Sequence, residues 1–503
     1  MRPSASSATI AVNSSTKQRP ASGYARLAAS PRTPPSALRL HFRRPQIYSG
    51  LVSAPLILLV SMVAVIGLMI WGRVHAFLAL LMGALLVGVL SPLIPLDTVP
   101  GAVAAALGRV AGGVAIVIAL AAVIGECLLD SGAAERISRR FLRLFGQARG
   151  HYALWGSGYV LSVPVFFDTV FYLLLPLARA MTARQGRNYA LNISAVAVGG
   201  ASTHVFVPPT PGPLAAATGL GVDLGLMILM GVLCALPASL VALAFVAWRE
   251  RQSPSTARAG VGSTPEELAA LVARPDSSLP SFGLSMLPIA LPVLLIAGRT
   301  AAEAAAAPTG VLQWAKFFGD ANMALLLSAL VALWLVRRQA GLSLADLRDR
   351  VDRALTGAGP IILITAAGGA YGGMLTLAQV GTSLQAMAAS MGLPLLGLAF
   401  GMAAILKIAQ GSSTVAIITT TSVLATIYAA GAEGLPHPVY AALATGGGSL
   451  VISWMNDSGF WLVGRMGGFT ERETFAHWTV PAAIVGIVGF LVACLLSVVV
   501  PLR

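Results

Sequence analysis

From Leu393 to Tyr428 the sequence carries one charged side chain, Lys407, followed closely by Gln410-Gly411-Ser412-Ser413-Thr414. A run this apolar must be buried in protein or lipid, and a charge at membrane depth is costly enough to face a cavity, a pathway or a partner. Gly411 and the three hydroxyls also weaken regular helix where a polar site needs open backbone. The plainer alternative is a lysine snorkelling from a helix end, with hydroxyls bonded back to carbonyls.

The rest of the chain sets the context for this stretch. Of 503 residues, 56% are hydrophobic and 10% charged, against roughly 25% charged in soluble domains. Apolar runs long enough to span a bilayer recur, so the chain is predicted to be an all-α polytopic membrane protein. The net charge is +14, and eight basic residues with no acid lie before residue 47. That tail is Ser/Pro/Ala-rich and lacks the folded basic face with aromatics that nucleic-acid binding requires. Nor is it an ordinary signal peptide, because no short apolar stretch with a cleavage site follows its first basic residues. Cys127, Cys234 and Cys494 sit in apolar runs without paired spacing, which suits core residues rather than a disulfide or metal framework.

Taken in order, residues 1–46 form the basic tail, 51–247 a first membrane repeat, 248–280 a polar cytoplasmic linker and 281–503 a second repeat. Apolar segments are expected at 51–71, 74–94 and 110–129. An amphipathic, arginine-rich stretch follows at 134–150, a cytoplasmic mark. The run 152–178 lies between two basic clusters and is broken at Pro164, with Asp168 just beyond. It reads as a re-entrant hairpin whose irregular backbone lines a cavity, or else as one span kinked at Pro164. The next span, 190–206, ends in four prolines within 208–213, which exclude continuous helix, and 222–247 returns inward. In the second half, segments at 284–298 and 321–336 precede a charged loop (Arg337 to Arg353). A span at 358–379 and a second hairpin at 392–425 come next. Residues 438–455 then run inward to Asn456-Asp457-Ser458-Gly459, and 478–500 cross last. Six segments per half put the basic tail outside, against the tendency of positive charge to stay in the cytoplasm. Either the tail is absent from the mature chain or the first segment falls short of a full span.

The halves are weakly self-similar at an offset of roughly 245 residues, a pattern typical of transporters built from inverted repeats. Pro164–Asp168 corresponds in order to Ala409–Ser413, and Pro208–Pro213 to Asn456–Gly459. The predicted architecture is therefore two inverted-topology repeats, each with a re-entrant hairpin and a broken helix, and about 10–12 spanning helices in all, with the binding site between the halves. No phosphate-binding loop is present, so ATP drive is not expected. The six histidines show no metal-ligand spacing, and neither that nor a nucleophile–base pair points to an enzyme. A channel, which would not concentrate its solute, is the other class considered.

With these residues in view, the chain resembles the gluconate permease (GntP) family, within the ion transporter superfamily. The resemblance rests on four stretches in order: Val163–Phe167; His204 with Pro208–Pro213; Ile408–Ala416; and Asn456–Trp461. It implies a secondary active transporter of the bacterial cytoplasmic (inner) membrane that imports gluconate or a related carboxylate with protons. It also implies no cofactor beyond the ion gradient, and a homodimer. Four positions depart from the family's usual residues: Asp168 replaces Glu, Lys407 replaces Arg, Glu126 replaces Lys and Thr210 replaces His. Losing the planar guanidinium fork at 407 bears directly on how a carboxylate is bound.

A sugar acid presents one carboxylate and several hydroxyls. Lys407 and the backbone of Gln410, Gly411, Ser412, Ser413 and Thr414 are the candidates for the carboxylate. Ser412, Ser413, Thr414, Asn456 and Ser458 are candidates for the hydroxyls, and Asp457, Pro209 and Thr210 complete the substrate-binding set. For proton coupling, Asp168 is the first candidate, because a carboxyl in an apolar hairpin can take up a proton near neutral pH. His204 is the second, with an ordinary pKa of about 6.5, and Asp457 the third; helix capping by either aspartate, or packing by His204, are the alternatives. Glu126 and Asp130 are expected to pair with loop arginines. Sodium coupling is the alternative to protons, since broken-helix hydroxyls and carbonyls can hold Na⁺.

Overall fold

The computed structural model describes residues 53–255, 275–383, 394–431 and 434–502. The basic tail, most of the linker and the flank before the second hairpin lie outside them. Among the described residues every regular element is a helix, and seven helices are long and apolar enough to cross a membrane. Four shorter apolar helices accompany them.

Each half contains a long helix, then a hairpin, then a broken helix, in that order. The first runs through α1 (Ala54–Ile70), α2 (Ala76–Leu90) and the long α3 (Val99–Asp130), then the amphipathic α4 (Ala133–Phe145). A hairpin of α5 (Gly150–Leu161) and α6 (Phe167–Gln185) follows, then a broken helix of α7 (Tyr189–Phe206) and α8 (Pro211–Leu220), and finally α9 (Leu224–Gln252). The second half opens with α10 (Phe282–Ala304), the short α11 (Thr309–Phe318), α12 (Ala321–Ala340) and the long α13 (Leu344–Leu377). Its hairpin is α14 (Leu395–Gln410) with α15 (Ser413–Ala429), and its broken helix is α16 (Pro438–Gly448) with α17 (Ser458–Met466). A short α18 (Glu471–Thr474) and α19 (Val480–Val499) close the chain.

Packing repeats with the same order. Helix α5 lies on α7 and α7 on α9, as α14 lies on α16 and α16 on α19. Glycine makes equivalent approaches in both halves. A Cβ on Gly199 would stand 2.2 Å from the Trp155 carbonyl oxygen, and one on Gly448 would stand 2.2 Å from that of Phe400. Close backbone contact through small residues is how helices associate where lipid removes the hydrophobic drive. The halves also interlock: α2 packs on α13, α12 on α3, and α3 and α13 share the most extensive contact in the molecule. This order and pairing are consistent with the inverted repeats expected from sequence.

Both expected breaks occur where regular helix is least favourable. Helix α5 stops before Pro164, α6 starts at Phe167, and Pro164 therefore ends a helix rather than kinking one. Gly411, in the left-handed region at φ +88°, ends α14. Proline at the first position of α8 restarts the chain after the 207–210 break.

Three expectations need correction. Arg348, Arg350 and Arg353 lie on α13 and not in a loop, because a Ser343/Asp346 capping box starts that helix well before its apolar part. At 34 residues and 1.5 Å per residue, α13 is about 50 Å long, so its charged end stands clear of a hydrocarbon core of about 30 Å. Helix α3 also begins earlier than expected, at Val99, eleven residues before the expected segment, with proline in its first turn. Helix α11 lies between two expected segments, where none is predicted. The projecting ends are tied by charge: Arg350 bonds Asp130, and Arg353 lies 3.2 Å from Glu126, the pairing expected of those acids. Beside them α4 holds the linker's end. Arg139 donates to Asp276 at 2.7 Å with Arg143 and Arg136 close by, which keeps that carboxyl below its usual range.

Candidate functional site

The hairpins and broken helices of both halves meet at a cavity of about 360 Å³, at the small end of the range for small-molecule sites. Four helix N-termini border it: α6 (Phe166–Thr169), α8 (Pro211), α15 (Ser412–Val415) and α17 (Asp457–Gly459). Ala201, His204 and Val205 of α7, Ile361 and Ile364 of α13, Leu450 and Trp478 complete the wall. Helix N-termini concentrate unsatisfied N–H groups and positive potential, so several pointing at one space favour an anion. The α6 terminus has no side-chain cap, which leaves its first amides open.

The structure brings Asp168, His204, Ser412, Ser413, Thr414, Asp457 and Ser458 onto this cavity. Asp168 is exposed to it and makes no ion pair among the described residues. His204 has a buried Nδ1 with no hydrogen-bond partner among the described residues. Its role as a satisfied packing residue is therefore not what the geometry presents.

Lys407 is placed elsewhere. It is 1% exposed and off the cavity wall, with its ammonium 3.0 Å from Asp457 Oδ2 and donating to the Gly411 carbonyl at 2.6 Å. The snorkelling alternative is excluded, and so is a lysine pointing freely at a ligand. Asp457 is fully engaged: it accepts from the Ser453 hydroxyl, and from the Gly459 amide at 3.0 Å as the cap of α17. Trp478 Nε1 donates to Ser453 Oγ at 2.8 Å, which extends the network to the last membrane segment.

The hydroxyl set divides the same way. Ser412 caps α15 through the Val415 amide, and Ser413 donates to the Ser449 carbonyl at 2.7 Å, joining the hairpin tip to the unwound stretch of the broken helix. Gln410 folds onto Ser412, donating to its carbonyl at 2.6 Å. Asn456 donates to the Ile408 carbonyl at 2.8 Å at the end of α14. Pro209 and Thr210 are buried in the α7–α8 break, with Thr210 bonded to the Val207 carbonyl. Gln410, Gly411, Asn456, Pro209 and Thr210 thus build the site's frame and do not line it. Thr414 and Ser458 line the cavity, and their hydroxyls make no hydrogen bond among the described residues. Thr169 lines it as well, although a threonine beside Asp168 in an apolar run carries no sequence signal of its own. Phe167 and Trp478, stacked at 5.2 Å, form a flat apolar wall that the sequence concealed inside apolar runs.

A family model described as "GntP family permease" matches residues 54–499. The gluconate permease of Pseudomonas aeruginosa is 33% identical over 452 residues, 88% of this chain and 98% of its own. The low-affinity gluconate transporter of Escherichia coli is 32% identical, with 86% and 95% covered. The Gnt-II system L-idonate transporter of the same organism is 31% identical, with 87% and 98% covered. Among solved structures, the YdaH transporter of Alcanivorax borkumensis aligns with a TM-score of 0.53 at 16% identity over 85% of this chain and 98% of its own. MtrF of Neisseria gonorrhoeae aligns with a TM-score of 0.57 at 14% identity over 80% and 84%. At those identities the likeness is one of fold.

Proposed function

The chain belongs to the GntP permease family, a multi-pass transporter of the bacterial cytoplasmic membrane, and from that premise we propose that it imports gluconate or a closely related sugar acid together with a proton. One observation carries the proposal. Lys407, beside the cavity-lining Asp457, is already paired with it, which leaves Asp168 facing the same space with no ion pair among the described residues. An anionic ligand entering beside ionised Asp168 would put two like charges in a site with little water, which is strongly disfavoured. When Asp168 carries a proton, the uncapped N-terminus of α6 meets one negative charge. Binding of the carboxylate and of the proton are thereby coupled, one for one and without net charge. Thr169, Thr414 and Ser458 offer hydroxyls to the sugar chain, and the Phe167–Trp478 wall covers its C–H faces. The names of the relatives, gluconate and L-idonate carriers, agree with a ligand of this size and charge.

The test is uptake by purified protein in liposomes under an inward proton gradient, with sodium absent. Gluconate is expected to accumulate and to be displaced by other six-carbon sugar acids but not by glucose, which lacks the carboxylate. Equal displacement by glucose would contradict a site built on an anion.

A further inference from the structure

The Lys407 ammonium lies between the C-terminal end of the half-helix α14 and the N-terminal cap of α17. In carriers built from broken helices, unwound carbonyls and the C-terminal ends of half-helices gather the oxygens that coordinate sodium. Here that end is the last turn of α14. The ammonium takes one oxygen from the hairpin tip, the Gly411 carbonyl at 2.6 Å, and one from the broken helix, Asp457 Oδ2 at 3.0 Å. The carboxylate is held in turn by Ser453 and the Gly459 amide. A buried ion pair is seldom a net source of stability, so the pair is better understood as a joint between two elements that must meet at the site.

We propose that Lys407 is a tethered substitute for a coupling sodium ion. Its ammonium joins the second hairpin to the second broken helix permanently, so the carrier neither binds nor needs sodium, and the lysine is not available to the substrate's carboxylate. Truncating it leaves the Gly411 carbonyl and the Asp457 carboxylate facing a space that suits a small monovalent cation. The inference rests on the carrier reading above, but its main test needs no substrate and therefore stands or falls separately.

Thermal unfolding of purified wild type and Lys407→Ala is compared in sodium, ethylammonium and choline chlorides at equal ionic strength. Wild type is expected to unfold at one temperature in all three. The variant should unfold lower in choline, regain most of that loss in sodium or ethylammonium with saturation, and lose the recovery when Asp457→Asn is added. A folded variant that responds alike to all three salts overturns the proposal. So does a saturable sodium response of the wild type, a measurement that holds even where the variant is not recovered. In liposomes, gluconate uptake by the variant should become dependent on sodium or ethylammonium, while wild-type uptake is unchanged by sodium.

Discussion

Asp168→Asn is expected to abolish proton-driven accumulation while leaving exchange of gluconate across the membrane intact. Asparagine keeps the shape of the protonated carboxyl and carries no charge, so the cavity of the variant is permanently in the state that admits an anion. With one proton per substrate, an inward gradient of one pH unit supports about tenfold accumulation. The variant should reach only equal concentrations on both sides. Its exchange of external labelled gluconate for internal unlabelled gluconate should lack the dependence on pH expected of the wild type. Retained accumulation would remove Asp168 from coupling and leave His204 as the candidate, whose buried Nδ1 has no partner among the described residues and which lines the same cavity. Loss of both accumulation and exchange would make Asp168 part of ligand binding or of the fold.

The second large effect is expected at Gly411. This residue sits in the left-handed region, and a Cβ there would stand 2.1 Å from the Asn456 carbonyl oxygen. The left-handed conformation alone costs a non-glycine residue about 1–2 kcal/mol. The clash is with backbone, so it is relieved only by moving the hairpin tip away from the unwound stretch at 449–457, which also separates Lys407 from Asp457. Gly411→Ala is therefore expected to lose about 3 kcal/mol or more of stability, above the common cost of a substitution. Gly401, on the same helix α14, has open space where its Cβ would be. Gly401→Ala should be neutral or stabilising by up to about 1 kcal/mol, from helix propensity. Thermal unfolding of the two variants in detergent compares them directly. Similar behaviour would mean that the close approach at Gly411 does not hold the site together.

Much of the architecture was legible because breaks in membrane helices have a chemical signature. Proline without an amide hydrogen, glycine at positive φ and clustered hydroxyls sit at Pro164, Gly411 and 208–213, and the helices stop there. Boundaries were less legible where charge and helix coincide. Arg348 to Arg353 looked like a loop because charge is excluded from lipid, yet a long helix carries them beyond the bilayer. The site was legible as a neighbourhood and not as a division of labour. Lys407 and Asp457 were both expected near the ligand, but fifty residues separate them and nothing in the local pattern says that they consume each other's charge. Thr169 and Trp478 carried no signal of their own, since each is an ordinary residue at the start of an apolar helix until the fold turns it inward.

The most direct test of the coupling account is proton movement driven by substrate alone. Wild-type protein is reconstituted in sodium-free liposomes containing a trapped pH-sensitive dye, with equal pH on both sides, and gluconate is added outside. The lumen is expected to acidify with gluconate entry, one proton for each substrate, and without generating a membrane potential. Gluconate entry with no acidification would contradict proton symport and the role given to Asp168.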